Sequence, residues 1–335
     1  MEPVVVDTRQ RPLRDLRLSV TDRCNFRCRY CMPAEIFNRD YVFLRRELLL
    51  NFEELTTLAR AFERLGVSKI RLTGGEPLLR KGIEDLVALL VEATACEVTL
   101  TTNASLLVRK ASALASAGLT RITVSLDSLD DAVFQAMNDV GFPVGAVLDG
   151  IDAAASVGLP VKVNAVVKRG VNDRGVVDMA RHFRGSGHIL RFIEYMDVGA
   201  TNGWCMDDVV PASELVNAID AVFPIRPVKP NYRGEVATRW RYLDGQGEIG
   251  FITSVTQPFC STCTRARISA EGMLYTCLFA WTGTDLRKVL RSGGTEEEIV
   301  DLVRGIWEAR RDRYSEIRSE ATVGLPKVEM SYIGG

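Results

Sequence analysis

The residues with the clearest chemical meaning in this chain are three cysteines within eight positions, Cys24, Cys28 and Cys31. They follow an apolar alternating stretch at residues 16–20. A 4Fe-4S cluster ordinarily takes four thiolates, one for each iron. Three local thiolates would leave one iron open, and an open iron on a low-potential cluster can chelate a small molecule and pass an electron to it. The spacing therefore indicates a catalytic cluster and not only a structural one.

A second set of three cysteines lies nearer the C-terminus and also lacks a nearby fourth thiol or imidazole: Cys260, Cys263 and Cys277. Cysteines at such short spacing are commonly zinc ligands, so zinc is the alternative. A closed zinc site needs a fourth ligand. The two histidines, His182 and His188, are more than a hundred residues from the first set. Two incomplete sets therefore favour two open-iron clusters.

Composition is that of an ordinary globular chain, with 335 residues, 47% hydrophobic residues, 25% charged residues and a net charge of -1. The N-terminus is too polar for a signal peptide, and no apolar run has the length of a membrane span. We therefore expect a cytoplasmic protein, in which eight cysteines favour metal ligation over disulfides. The near-neutral charge gives no indication of a nucleic-acid or membrane partner.

Short apolar strands alternate with amphipathic helical segments six times. The predicted strands are residues 16–20, 69–72, 97–101, 121–126, 160–167 and 188–194, and the clearest predicted helices are 53–65, 83–93, 105–117 and 176–183. This alternation predicts a parallel sheet. We predict an α/β fold, an incomplete (β/α)6 TIM-like barrel formed by residues 1–222. Residues 223–335 are predicted to form a C-terminal α+β extension that covers the barrel mouth and carries the second cysteine set.

Basic and polar side chains recur at alternate strand positions, where a barrel would point them inward. They are Arg17, Ser19, Lys69, Arg71, Thr73, Lys162 and Asn164. Unpaired buried cations are costly, so their convergence predicts an anionic ligand. The alternative is that they pair with the acids at the strand ends, Glu76, Asp127 and Glu194. Gly74-Gly75 is either a plain turn or backbone that must approach a ligand closely.

The chain resembles the radical S-adenosylmethionine (SAM) superfamily in its Cys24-x3-Cys28-x2-Cys31 spacing with Tyr30, and in Gly-Gly-Glu-Pro at 74–77. Within that superfamily it is similar to the enzymes that open molybdenum cofactor biosynthesis. The similarity rests on motifs at 18–25, 69–77, 124–128, 162–164, 191–196 and 260–267, and on the terminal Gly334-Gly335. Ala104 stands where the family has glycine, so this position either has an ordinary φ or is strained.

The resemblance implies two 4Fe-4S clusters with SAM as cofactor. The first cysteine set would bind the cluster that chelates SAM, whose further contacts would be Tyr30, Gly75, Ser125 and Met196. The second set would bind a cluster whose open iron meets the guanine base of GTP. The implied GTP contacts are Arg17, Lys69, Arg71, Thr102, Lys162, Arg191, Arg265, Ala266 and Arg267, and Arg17, Arg265 and Arg267 are the expected catalytic residues.

The implied reaction begins when a 5′-deoxyadenosyl radical removes hydrogen from C3′ of GTP. The carbon radical attacks C8 of guanine, and one-electron reduction gives 3′,8-cyclo-7,8-dihydro-GTP. The resemblance also implies a homodimer, an external electron donor, and a downstream cyclic pyranopterin monophosphate synthase as product acceptor. It places the Gly-Gly tail in the active site. The alternatives are a radical SAM enzyme that modifies a peptide, a zinc-stabilised binding protein and, more weakly, a ubiquitin-like carrier.

Overall fold

The fold is built on one continuous mixed sheet. The computed structural model describes residues 4–319, 322 and 324–334. The strands in this part of the chain are β1 Asp15–Ser19, β2 Lys69–Thr73, β3 Glu97–Thr102, β4 Arg121–Ser125, β5 Val161–Val167, β6 Ile189–Glu194, β7 Ile225–Val228, β8 Thr238–Tyr242, β9 Glu248–Ile252, β10 Arg265–Ile268, β11 Met273–Tyr275 and β12 Thr284–Asp285. Their order in the sheet is β12-β11-β10-β1-β2-β3-β4-β5-β6-β9-β8-β7.

Helices follow the first six strands and pack on the outer face of the sheet. The described helices are α1 Phe52–Arg64, α2 Ile83–Ala93, α3 Leu107–Ser116, α4 Asp131–Asn138, α5 Val144–Ser156, α6 Val176–Phe183, α7 Ala212–Asp220, α8 Leu286–Arg291, α9 Glu296–Glu308 and α10 Met330–Ile333. None of them has the length and apolar character needed to span a bilayer. The result is an α/β fold with a partial TIM-like barrel, and the six predicted strands are confirmed.

Residue alternation in the strands separates the core from the barrel interior. Leu16 and Leu18 of β1 are fully buried in the hydrophobic core between sheet and helices. Ile70 and Leu72 of β2 share this core. Because successive side chains in a strand point to opposite faces, the residues between these positions face the interior.

The C-terminal part of the chain adds strands to both edges of the six-strand core. β10 pairs in parallel with β1, and β9 pairs in parallel with β6. Antiparallel neighbours then complete the sheet on each side. Helix α9 also packs against α1. Its first turn is fixed by a capping box in which Thr295 and Glu298 bond each other's main-chain N–H groups. The division at residue 222 and the covering of the mouth stay predictions.

Candidate active site

A cavity of about 360 Å³ lies inside the barrel, a volume within the usual range for small-molecule sites. Both cysteine sets line it, although they are separated by more than two hundred residues in sequence. Residues from β1 to β6 and from the C-terminal part contribute to its walls. The topology therefore brings together all six cysteines that the sequence analysis singled out.

The two cysteine sets lie at opposite ends of the parallel strands. Cys24 comes after the carboxyl end of β1, whereas Cys263 comes just before the amino end of β10, which runs parallel to β1. Cys277 follows β11, which is antiparallel to β10 and so ends beside Cys263. A five-residue strand at ~3.3 Å per residue separates the two ends by about 15 Å. One elongated cavity thus has a three-thiol set at each end.

The first cysteine set is half-buried, and the loss of solvent around its thiols affects their chemistry. Burial raises the pKa of Cys24 to about 12 and also raises the pKa values of Cys28 and Cys31. The Cys24 sulfur accepts hydrogen bonds from Phe26 N at 3.4 Å and from Asn103 Nδ2 at 3.8 Å. Thiols of this kind are deprotonated when a metal coordinates them.

The Gly74-Gly75 pair packs against the loop that carries the first cysteines. Gly75 N donates to Thr21 O at 2.8 Å, and Glu76 N donates to Arg23 O at 2.8 Å. A Cβ on Gly75 would lie 2.2 Å from Arg23 O, and one on Gly74 would lie 2.4 Å from Thr21 O. The sequence left open whether this pair is a plain turn or backbone that approaches a ligand closely. In the structure the close contact is with the cysteine loop, and Gly75 also lines the cavity.

The acids at the strand ends bind main-chain and hydroxyl groups instead of the cavity cations. Glu76 accepts from Thr102 Oγ1, Asn103 N and Leu78 N. Asp127 accepts from Tyr30 Oη at 2.7 Å, while burial raises the pKa of Asp127 to about 6 and that of Glu76 to about 7.

Glu194 accepts from Ala212 N, Val255 N and Thr256 N in the same manner. The pairing alternative for the cavity cations is therefore wrong for these three acids. They fix the loops around the cavity instead.

A row of arginines crosses three neighbouring strands on the cavity face. Arg17 of β1 is in register with Arg267 of β10 on one side and with Arg71 of β2 on the other. Burial, together with repulsion from Arg267 and Arg71, holds the pKa of Arg17 well below its ordinary value. Arg71 donates to the hydroxyls of Thr101 and Thr123. Such a row of like charges favours an anionic ligand.

Two more cations lie on the β5 and β6 side of the cavity. Burial and repulsion from Arg191 lower the pKa of Lys162 to about 8, and burial and repulsion from Arg71 lower the pKa of Arg191 to about 9. A Cβ on Gly250 would lie 3.1 Å from Arg191 Cγ, so the glycine leaves room for that side chain. Lys69 differs, because it forms an ion pair with Asp15 at 2.7 Å.

Several buried polar atoms of the cavity lining have no hydrogen-bond partner within the described residues. They are Arg191 Nε, Arg265 Nη1, Arg267 Nε, Asn164 Oδ1 and Thr73 Oγ1. Leaving a buried donor unpaired is costly, so a ligand that accepts from these guanidinium groups would be stabilised. The cavity presents chiefly N–H donors, as a polyphosphate requires.

The second cysteine set lies among arginines. Arg265 Nη2 and Arg310 Nη2 both donate to the Cys263 sulfur, at 3.2 Å and 3.3 Å. Although burial opposes the shift, these two cations lower the pKa of Cys263 to about 6. Burial and the nearby Asp312 carboxylate raise the pKa of Cys277 to about 12.

The donor sets fit iron-sulfur clusters. Each set supplies three thiols that face one cavity, which is the number that leaves one iron open. In the described part of the chain, no three Cys, His, Asp or Glu side chains converge on a single metal-ion position. Thiolates that bind different irons of one cluster need not converge in this way. His182 and His188 lie outside the cavity lining.

The other predicted site residues also line the cavity, with one exception. The predicted SAM contacts and GTP contacts present in the lining are Tyr30, Gly75, Ser125, Met196, Arg17, Lys69, Arg71, Thr102, Lys162, Arg191, Arg265 and Arg267. Ala266 is absent from the lining, and its role as a GTP contact stays a prediction. Its side chain is fully buried in the hydrophobic core, because it alternates with Arg265 and Arg267 along β10.

Sequence reasoning missed several residues that shape the site. Tyr232 Oη accepts a hydrogen bond from Lys69 Nζ at 3.0 Å, and Tyr232 lines the cavity. Arg310 contacts Cys263 from outside the cavity. Neither residue follows a strand or lies in a recognisable motif. Only the three-dimensional pairing of distant segments identifies them.

The C-terminal tail reaches the cavity. Met330 and Ser331 are part of its lining. Gly334 has a φ of 73°, and a side chain there would overlap Thr73 Oγ1 at the end of β2. Gly335 lies outside the described residues, so the predicted role of the terminal pair stays a prediction.

Comparison with known proteins adds family information to this geometry. A family model described as the Radical SAM superfamily matches residues 18–183, and one described as Molybdenum Cofactor Synthesis C matches residues 188–316. A GTP 3′,8-cyclase of Acidothermus cellulolyticus is 53% identical over 363 residues, with 100% of both chains covered. One from Staphylococcus saprophyticus is 48% identical over 336 residues, with 99% of each chain covered.

Among solved structures, Streptococcus suis SuiB bound to S-adenosylmethionine has a TM-score of 0.63 at 16% identity. The match covers 95% of this chain and 76% of that chain, and it supports the fold alone. The two relatives match from end to end at about half identity, and the two family models together span most of the chain. The chain therefore belongs to the GTP 3′,8-cyclase family within the radical SAM superfamily.

Proposed function

We propose that this enzyme converts GTP to 3′,8-cyclo-7,8-dihydro-GTP, the first step of molybdenum cofactor biosynthesis. The observation that carries the proposal is a single cavity with a three-thiol set at each end and a row of arginines between them. Family membership supplies the reaction class, and the cavity supplies the fit to an anionic nucleotide.

At one end, Cys24, Cys28 and Cys31 would hold a cluster with an open iron for SAM. When bound, this cluster and SAM would supply the 5′-deoxyadenosyl radical needed for hydrogen abstraction from C3′ of GTP. The surrounding protein residues would hold the cluster and SAM in position. This end of the cavity is lined by Gly75 and by Tyr30, whose hydroxyl donates to Asp127. The other proposed SAM contacts are Ser125 and Met196.

At the other end, Cys260, Cys263 and Cys277 would hold a second cluster next to the guanine base. The triphosphate would meet Arg17, Arg71, Lys162 and Arg191, with Lys69 and Thr102 nearby. Guanidinium groups suit this role because they donate two hydrogen bonds in a fork to phosphate oxygens. Arg265 and Arg267 lie beside the second cysteine set and would contact the reacting nucleotide.

Positioning is the main contribution of the fold to the reaction. C3′ of the ribose must lie close both to the adenosyl carbon and to C8 of guanine. Binding the cofactor at one end and the base at the other would hold the ribose between them. We further propose that residues 1–222 form the radical SAM core and that residues 223–335 cover the mouth and exclude water.

The proposed partners are an external electron donor and a downstream cyclic pyranopterin monophosphate synthase. A homodimer is part of the same proposal. The zinc-stabilised binding protein and the ubiquitin-like carrier are set aside, because the chain belongs to a family of radical enzymes. A peptide substrate without acidic side chains would leave the arginine row without anionic partners.

Equilibrium binding of GTP to the anaerobically reconstituted enzyme tests the proposal. Replacing Arg267 with methionine should weaken GTP binding by about 10-fold to 100-fold, because a hydrogen bond to a charged group contributes about 1.5–3 kcal/mol. The matched control is Arg226→Met, since Arg226 is exposed in β7. Equal GTP affinity in the two variants, or equal affinity of the wild type for GTP and a peptide, would contradict the proposal.

A further inference from the structure

Arg310 is a buried cation that the proposed reaction does not use. Its side chain is 1% exposed, and it lies outside the cavity lining. Its guanidinium group lies 4.4 Å from the centre of the Trp307 ring. Burying an arginine so completely requires partners, and those partners identify its role.

Arg310 contacts Cys263 through two hydrogen bonds. Nη2 donates to the Cys263 sulfur at 3.3 Å, and Nη1 donates to the Cys263 carbonyl oxygen at 2.9 Å. Arg265 approaches the same sulfur from the cavity side. Cys263 therefore receives two guanidinium donors, whereas the hydrogen bonds to the Cys24 sulfur come from Phe26 N and Asn103 Nδ2.

A small ionic network connects Arg310 with the other two cysteines of the set. Asp312 accepts from Arg310 Nε at 3.2 Å and from Thr276 Oγ1, next to Cys277, at 2.6 Å. Asp7 contacts Arg310 Nη1 at 3.3 Å and Arg11 Nε at 2.6 Å. Arg11 Nη1 in turn donates to the Cys260 carbonyl oxygen at 2.7 Å. One ionic network therefore surrounds the second cysteine set, and it consists of Asp7, Arg11, Arg310 and Asp312.

We propose that Arg310 is a positioning residue that raises the reduction potential of the cluster held by Cys260, Cys263 and Cys277. The inference rests on the proposed function, because it requires that second cluster. Adding one electron makes a cluster more negative, so N–H donors to its sulfur ligands stabilise the reduced form. Replacing Arg310 would remove one N–H donor to the Cys263 sulfur. It would also remove a positive charge that balances the carboxylates of Asp7 and Asp312. Both effects lower the potential.

The two clusters would then differ in their ligand surroundings. The first must reduce a sulfonium and needs a low potential. Among the described residues, Arg27 donates to the Cys24 carbonyl oxygen, but no guanidinium donates to the Cys24 sulfur. The second is surrounded by donors that favour the reduced state. Arg310 acts from behind Cys263, so it would affect the potential without touching the nucleotide.

The test uses the full chain with Cys24, Cys28 and Cys31 replaced by alanine, so that only the second cluster contributes. Arg310→Met, Arg310→Lys and, as matched control, Arg311→Met are added to this parent, since Arg311 is the exposed neighbour. The measurements are iron content and an anaerobic redox titration followed by electron paramagnetic resonance. We expect Arg310→Met to shift the midpoint to a more negative potential, Arg310→Lys to shift it less, and Arg311→Met to leave it unchanged.

The outcomes separate this inference from the proposed function. A parent without a cluster, where about four irons per chain are required, overturns the two-cluster function and this inference with it. A parent that holds the cluster, but whose midpoint is the same with Arg310→Met, overturns only the inference. If Arg310→Met fails to retain iron, Arg310→Lys decides: a negative shift supports the inference, and an unchanged midpoint overturns it.

Discussion

A single residue, Lys162, makes the charge of the cavity depend on pH. Burial and repulsion from Arg191 and Arg121 lower its pKa to about 8, so Lys162 is charged below that pH and neutral above it. Arg71 adds to the repulsion and Glu235 opposes it. We predict that kcat/KM for GTP falls about tenfold or more as pH rises through about 8, because the proposed contact of the Lys162 cation with phosphate would be lost.

A pH profile of kcat/KM checks this prediction in the wild type and in Lys162→Arg. Arginine keeps its charge throughout the range, so the variant should lose the step near pH 8. The matched control is Lys168→Arg, because Lys168 pairs with Asp208 at 3.1 Å and is absent from the cavity lining. An identical step in all three proteins would show that Lys162 does not carry it.

Ala104 is strained in the structure, which decides between the two expectations drawn from the sequence. Its φ is 63°, in the left-handed region where a Cβ costs about 1–2 kcal/mol. Its methyl is buried against Gly150, which offsets part of this cost. We predict that Ala104→Gly changes the free energy of unfolding by less than about 1 kcal/mol, because relief of strain balances lost burial and a more flexible unfolded chain.

The comparison that tests this balance is Ala111→Gly in helix α3. Ala111 is also buried, and a helical alanine carries no such strain. There the same substitution should destabilise by about 1 kcal/mol or more. Urea unfolding of the apo-protein measures both. Equal destabilisation at the two positions would show that Ala104 is not strained.

Inward cations were predictable at the residue scale because strand alternation alone assigns a face. The residues that these cations bind could not be predicted in this way. Lys69 binds Asp15 only because β1 and β2 pair with these two residues in register. Arg310 reaches Cys263 across 47 positions of chain. Such contacts depend on the pairing of distant elements, which a local pattern does not contain.

Between elements, the Gly74-Gly75 turn and the cysteine loop form one unit. A Cβ on Gly75 would overlap Arg23 O and the Cys24 main chain, so Gly75→Ala must displace the loop. We predict that its iron content falls from about eight to about four per chain, with loss of 5′-deoxyadenosine formation. Gly145→Ala is the control, since a Cβ there would meet no other described residue within 4 Å beyond its own stretch of helix. Full iron content in Gly75→Ala would contradict the proposed link.

The tail segment is a second element with a defined contact. Gly334 lies against Thr73, and Ile333 beside it is fully buried. We predict that deleting residues 334–335 leaves the iron content near that of the full chain but abolishes cyclisation, because the cysteine sets do not depend on this contact. Iron analysis and product assay on the same sample check it. Unchanged cyclisation in the truncated enzyme would refute an active-site role for the tail.

Sequence periodicity predicted the six strands of the core, since each is a short apolar run followed by a helix. The placement of β9 and β10 at the two edges was not predictable in the same way. Their parallel pairing with β6 and β1 joins segments far apart in the chain, and β10 lies nearly 250 residues after β1. The C-terminal part consequently extends the sheet as well as carrying the second cysteine set.

For the whole molecule, the central feature is the polarity of the parallel strands. The six cysteines of the two sets face one cavity, yet each set lies at a different end of the sheet. About 15 Å of strand separates the two ends. We propose that this arrangement holds two clusters, one that would bind SAM and one that would bind GTP, within the same cavity.

The most direct test is anaerobic reconstitution with iron and sulfide, then incubation with SAM, GTP and a strong reductant. The account predicts about eight irons per chain, as two cubane clusters require, together with 5′-deoxyadenosine and 3′,8-cyclo-7,8-dihydro-GTP. Formation of 5′-deoxyadenosine without a cyclised nucleotide would contradict the assignment of GTP as substrate. A protein that binds no iron would contradict the assignment of both cysteine sets as cluster ligands.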